Sequence, residues 1–81
     1  MARNNLAERL KTLYRESTDG RVVMDVSSDV YSMIDVARAA GSLAESLRGT
    51  RSRISEMDIS EHDGKISLSL FVESEQIEMY A

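Results

Sequence analysis

Leucines at 6, 10 and 13, followed by Tyr14, recur in NNLAERLKTLYRES at spacings of four, three and one. That spacing sets them on one face of a helix. Asn4 or Asn5 is placed to cap it. With Asn5 as the cap, Glu8 takes the third helical position and forms a capping-box variant, and Thr18-Asp19-Gly20 supplies the stop. The period then falls to two. RVVMDVS at 21–27 is β-branched and predicts a short strand with Val22, Met24 and Val26 on one side and Val23 and Asp25 on the other.

A three-four repeat returns in SSDVYSMIDVARAAGSLAESLRG, through Met33, Val36, Ala37, Ala40, Leu43, Ala44 and Leu47. The helix it predicts has Ser28 or Asp29 as its cap, Arg48 where the helix dipole favours a cation, and Gly49 in the left-handed position after the last turn. Gly41 lowers helix propensity by about 1 kcal/mol relative to alanine. A close contact to whatever covers the helix is therefore expected there.

Alternation resumes from residue 54, around Asp63-Gly64, a dipeptide suited to a two-residue hairpin turn. Such a turn sets Ser55 opposite Val72, Met57 opposite Leu70, Ile59 opposite Leu68 and Glu61 opposite Ile66 on one side. The other side collects Glu56 against Phe71, Asp58 against Ser69 and Ser60 against Ser67. One face is core; the other is acidic and hydroxylated. The end of the chain, 74–81, holds Ile77, Met79 and Tyr80 without a turn signal; it is expected as a short tail, with continuing the strand, folding back, docking elsewhere and staying mobile all left open.

The element order α-β-α-β-β predicts one α+β domain over 1–81. In it a three-stranded, mostly antiparallel sheet is covered on one face by two helices. Setting the first strand beside the third makes every neighbouring pair antiparallel. At 81 residues, folding hides about 60–65% of the surface that the unfolded chain exposes, so the core is small. There is no cysteine and one histidine, His62, so neither a disulfide framework nor a zinc site of the usual ligands is expected. The N-terminal residues lack the apolar stretch of a signal peptide. A soluble, cytoplasmic protein is expected.

The formal charge of −4 is unevenly spread: residues 54–81 hold Lys65 alone against seven acidic residues. For catalysis, no nucleophile or base has an evident partner held within reach. His62 reads as a solvated turn residue beside Asp63. Glu56 and Asp58, about 7 Å apart along one strand face, have no third acidic neighbour except Glu73, so a divalent-cation site is not expected. The four glycines are scattered, and no phosphate loop can be assembled from them. The expectation is a protein that is not an enzyme and carries no cofactor.

Two surfaces remain. Arg48, Arg51 and Arg53, with Arg38 further back on the same helix, could grip phosphates, although the pI near 4.9 lacks the basic footprint of a nucleic-acid binder. The acidic hairpin face, with Glu56, Asp58, Phe71 and Glu73, suits docking onto a basic groove of another protein. A non-catalytic protein-binding module follows. By analogy of size and charge, a complete short reading frame of this kind suits a phage or mobile-element protein that blocks a host nucleic-acid-handling complex, as anti-CRISPR inhibitors do. The alternatives are a nucleic-acid-binding accessory protein using the arginines, or a small structural subunit of an oligomer. The small core, the exposed sheet edge and the apolar tail also point to a homodimer.

Overall fold

A computed structural model describes residues 5–75. Helix α1 (Leu6–Glu16), strand β1 (Arg21–Ser27), helix α2 (Met33–Ser46), strand β2 (Ser52–His62) and strand β3 (Lys65–Ser74) follow one another as expected. The sheet has the order β1-β3-β2, and both pairings are antiparallel. The fold is α+β in two layers. α1 lies over β1, α2 lies mainly over β2, and the helices pack on each other.

Periodicity becomes burial most directly in the strands. Val22, Met24 and Val26 are buried while Arg21, Val23, Asp25 and Ser27 are exposed. On the central strand Ile66, Leu68, Leu70 and Val72 are all buried. Leu6 and Leu10 of α1 and Val36, Ala39, Ala40 and Leu43 of α2 close the other side of this core. Each fully buried large aliphatic side chain contributes about 1.5–3 kcal/mol. Leu13 and Tyr14 are half-buried at its margin.

The hairpin turns at Asp63 and Gly64, with φ of 53° and 77°. Positive φ at both central residues is the turn whose twist matches antiparallel strands, and glycine adopts it without strain. The register runs as expected from His62 opposite Lys65 to Glu56 opposite Phe71. It then slips. Ile54, not Ser55, stands opposite Val72, so Ser55 is the extra residue of a β-bulge. The bulge returns Ile54 to the core side, where it is partly buried. β3 also continues to Ser74, which faces Ser52, and Glu75 donates its N–H to the Arg51 carbonyl at 2.9 Å. The strand therefore includes residue 74, the expected start of the tail. Ile77, Met79 and Tyr80 lie outside the described residues.

Several local expectations are corrected. Asn5 makes no side-chain cap bond, and Glu8 instead faces Lys11 at 3.8 Å. α2 is capped by Ser32, not Ser28 or Asp29. Ser32 Oγ accepts from the Asp35 N–H and the Asp35 carboxylate accepts from the Ser32 N–H, a reciprocal capping box. The start is delayed because the Ser27 carbonyl takes the N–H groups of Val30 and Tyr31 in a preceding turn. Ala37 and Ala44 are exposed and Ala39 is buried in their place. A Cβ built on Gly41 meets no described atom within 4 Å, so none of the described elements approaches it closely. Met33 and Met57 are exposed too. Met57, on edge strand β2, keeps 52% of its surface in solvent.

Candidate functional site

Both helices pack on one side of the sheet, and among the described residues the other side is open. Antiparallel partners share a face, so the paired registers map this open side row by row. Arg21, Phe71 and Glu56 form one row; Val23, Ser69 and Asp58 form the next; Asp25, Ser67 and Ser60 form the third. Ser27, Lys65 and His62 close it at the hairpin end, and Glu73 faces Arg53 at the opposite end. The floor is thus a pair of serines on β3. Asp25 stands on one side of it and Glu56 and Asp58 on the other, with about 10 Å between the outer strands.

The expected site residues Glu56, Asp58, Phe71 and Glu73 are brought onto this one face. Two of them have close partners. Glu73 lies 3.8 Å from the Arg53 guanidinium. Phe71 is half-buried, and the guanidinium carbon of Arg21 sits 4.9 Å from its ring centroid. The ring's neighbour is therefore a side chain of β1, a cover that the hairpin alone did not suggest. A shallow depression of about 240 Å³ opens beside this pair, lined by Arg21, Glu56, Asp58, Ser69 and Phe71. With Arg21 already on part of the ring, the two carboxylates outweigh its single charge, and the hollow can hold a lysine or arginine head against Glu56 and Asp58 with its alkyl stem on the part of the ring that Arg21 leaves open.

Arg21 is positioned by the turn that precedes it. Ser17 Oγ donates to Asp19 Oδ1 at 3.2 Å and accepts from the Gly20 N–H at 3.0 Å, while Asp19 Oδ1 accepts from the Arg21 N–H at 3.0 Å. The bond from Arg21's backbone, with help from Ser17 and the Arg21 charge, holds the Asp19 carboxyl below its ordinary range. Gly20 has φ +83° and its carbonyl accepts from the Val72 N–H at 2.8 Å. This sets β1 against β3 and delivers Arg21 opposite Phe71.

The four arginines offered as a phosphate grip do not gather. Arg38 is exposed on α2, on the helical side of the sheet, whereas Arg53 lies on the open side against Glu73. Arg48 follows the end of α2 and pairs with Glu45 at 3.0 Å. Arg51 is exposed in the connecting loop. His62 is exposed and lies 3.1 Å from Asp63, as a turn residue.

Sequence reasoning missed Arg21 and Asp25 as members of the open face. The alternation in RVVMDVS carried the signal, but only the order of the strands shows which residues they join. Among the described residues no helix is long and apolar enough to cross a membrane, and no three acidic or histidine side chains converge as a metal site. No protein-family model, curated protein or solved structure matches the chain.

Proposed function

We propose that the protein is a non-catalytic binding module whose open sheet face docks onto a basic segment of another protein. The observation that carries this reading is the hollow between Glu56, Asp58 and the Arg21-covered Phe71 ring, on a face that neither helix covers. Carboxylates around an aromatic select a cationic side chain by charge and give it apolar contact area. An inhibitor of a basic nucleic-acid-handling complex, of the small phage or mobile-element kind, fits this mode of docking; size and charge are what support that narrower reading. Direct nucleic-acid binding has less support, since Arg38 and Arg53 lie on opposite sides of the sheet and Arg48 and Arg53 face carboxylates.

The test compares a fluorescent arginine-lysine peptide with a DNA duplex, each titrated with the full chain at low and moderate salt. Peptide binding that weakens with salt and is lost in the Glu56→Lys, Asp58→Lys double variant supports the reading. Glu45→Lys, on α2, serves as the control and should leave it unchanged. Duplex binding that falls steeply with salt and survives the double variant would favour the arginines instead.

A further inference from the structure

The edge of β1, unpaired among the described residues, is where we infer that a second copy of this chain docks, by antiparallel pairing of β1 with β1 centred on Val23. This does not rest on the partner reading above. The Gly20 carbonyl accepts from the Val72 N–H and the Ser28 N–H donates to the Gly64 carbonyl. The ladder therefore turns the main-chain groups of Val22, Met24 and Val26 toward β3 and those of Arg21, Val23, Asp25 and Ser27 outward. Two local bonds agree. The Arg21 N–H is taken by Asp19, and the Ser27 carbonyl by Val30 and Tyr31. Among the described residues nothing else meets the outward groups of Val23 and Asp25.

The side chains on this edge are self-complementary in one register only. Centred on Val23, the pairing sets Val23 against its copy and Arg21 against the second copy's Asp25, twice by symmetry. Centred on Met24, it sets Val23 against Asp25 and leaves both charges unpaired. Centred on Asp25, it opposes two carboxylates. Val23 is 61% exposed, a β-branched residue on an edge without lysine or proline. Such an edge is open to pairing. The other edge differs. β2 carries the Ser55 bulge, and self-pairing centred on Glu56, Met57 or Asp58 always brings carboxylate against carboxylate. An open groove of about 620 Å³, lined by Glu8, Arg9, Leu13 and Val23 among others, lies between α1 and β1 at this edge. Pairing there makes one six-stranded sheet with both open faces on the same side.

Sedimentation equilibrium of the full chain tests this, with a folded melt confirmed for each variant. The wild type should approach twice 9.1 kDa as concentration rises. Arg21→Asp and Asp25→Arg should each weaken self-association by roughly tenfold or more, since each sets like charges across both pairs. Mixing the two variants should restore a dimer, because one chain then presents two carboxylates at the seam and the other two guanidinium groups, so both cross-strand pairs are again of opposite charge. Val23→Lys, at an exposed position that should leave folding unaffected, should also give a single-chain mass. A wild type that stays at one chain mass at the highest attainable concentration overturns the inference. So do single variants that remain dimeric, or a mixture that does not re-form dimers.

Discussion

Arg21 stands directly opposite Phe71 in the β1–β3 ladder and lays its guanidinium carbon 4.9 Å from the ring centroid. The contact joins the most N-terminal strand to the open face of the hairpin. It covers part of the only phenylalanine in the chain, which alternation on β3 would otherwise leave among carboxylates and serines.

Arg21→Ala should therefore lower stability by only about 0.5–1 kcal/mol, the worth of a cation–π contact at an exposed site. Phe71→Ala should lower it by about 1–2 kcal/mol, because the half-buried ring contributes apolar area as well. Denaturant unfolding of both variants checks the order of the two. A Phe71→Ala chain as stable as the wild type would show that the ring lies free of the fold.

Gly20→Ala should be more damaging than either. An added Cβ would collide with the Val72 carbonyl, and φ +83° is strained for any side chain. Relieving the collision requires β1 to draw away from β3 while the backbone strain remains, so a loss of about 2 kcal/mol or more is expected. The same displacement should shift the environment of Phe71, visible in its ring proton resonances.

The elements were legible because leucines and β-branched residues report their period directly, and the hairpin register because Asp63-Gly64 leaves few choices. The bulge at Ser55 was not. It carries no glycine, and its reason lies in the sheet: uninterrupted pairing would put Ser55 inward against Val72 and turn Ile54 out. The start of α2 was hidden by a competing turn at Ser27, and its buried stripe by alanines. A helix rich in Ala can rotate between Ala37 or Ala44 and Ala39 with little change in buried area, and packing against α1 and the sheet decides. The hairpin's half of the open face was readable from register alone. The half from β1, Arg21 and Asp25, needed the strand order.

Gly64→Val tests the part of the register that was legible. Its φ of +77° lies where a β-branched residue is strained, so a loss of more than about 1 kcal/mol is expected in denaturant unfolding. An unchanged midpoint would mean that the strands are held in register by Ile59, Leu68 and their neighbours rather than by the turn.

Gly41→Ala tests a position where helix propensity suggested contact and the structure shows open space. The glycine is helical, exposed and clear of every described atom within 4 Å of an added Cβ. Alanine there should stabilise the chain by about 0.5–1 kcal/mol through the lower entropy of its unfolded state and its better helix propensity. A destabilised variant would reveal a surface packed against α2 in solution.

Asp19 gives the fold an acid-sensitive joint. Its folded carboxyl is held below the ordinary carboxylate range by the Arg21 N–H, then by Ser17 and the Arg21 charge, so over that window the unfolded chain binds the proton more readily. By linkage, the stabilisation is fully present above the ordinary carboxylate pKa and is lost as pH falls through the lower, folded value. Asp19→Asn should melt below the wild type near neutral pH, and the two curves should converge in acid. The convergence isolates this carboxyl from the other acidic groups, whose titration both chains share. The loss should also reach the open face, because Asp19 holds the backbone of Arg21 and Arg21 covers Phe71. Phe71 ring resonances followed from neutral to acid pH should show, over the window where the melting curves converge, a displacement in the wild type beyond whatever change the Asp19→Asn chain shows from the acidic groups that both share. An equal response in both chains would show that the turn and the ring are not coupled.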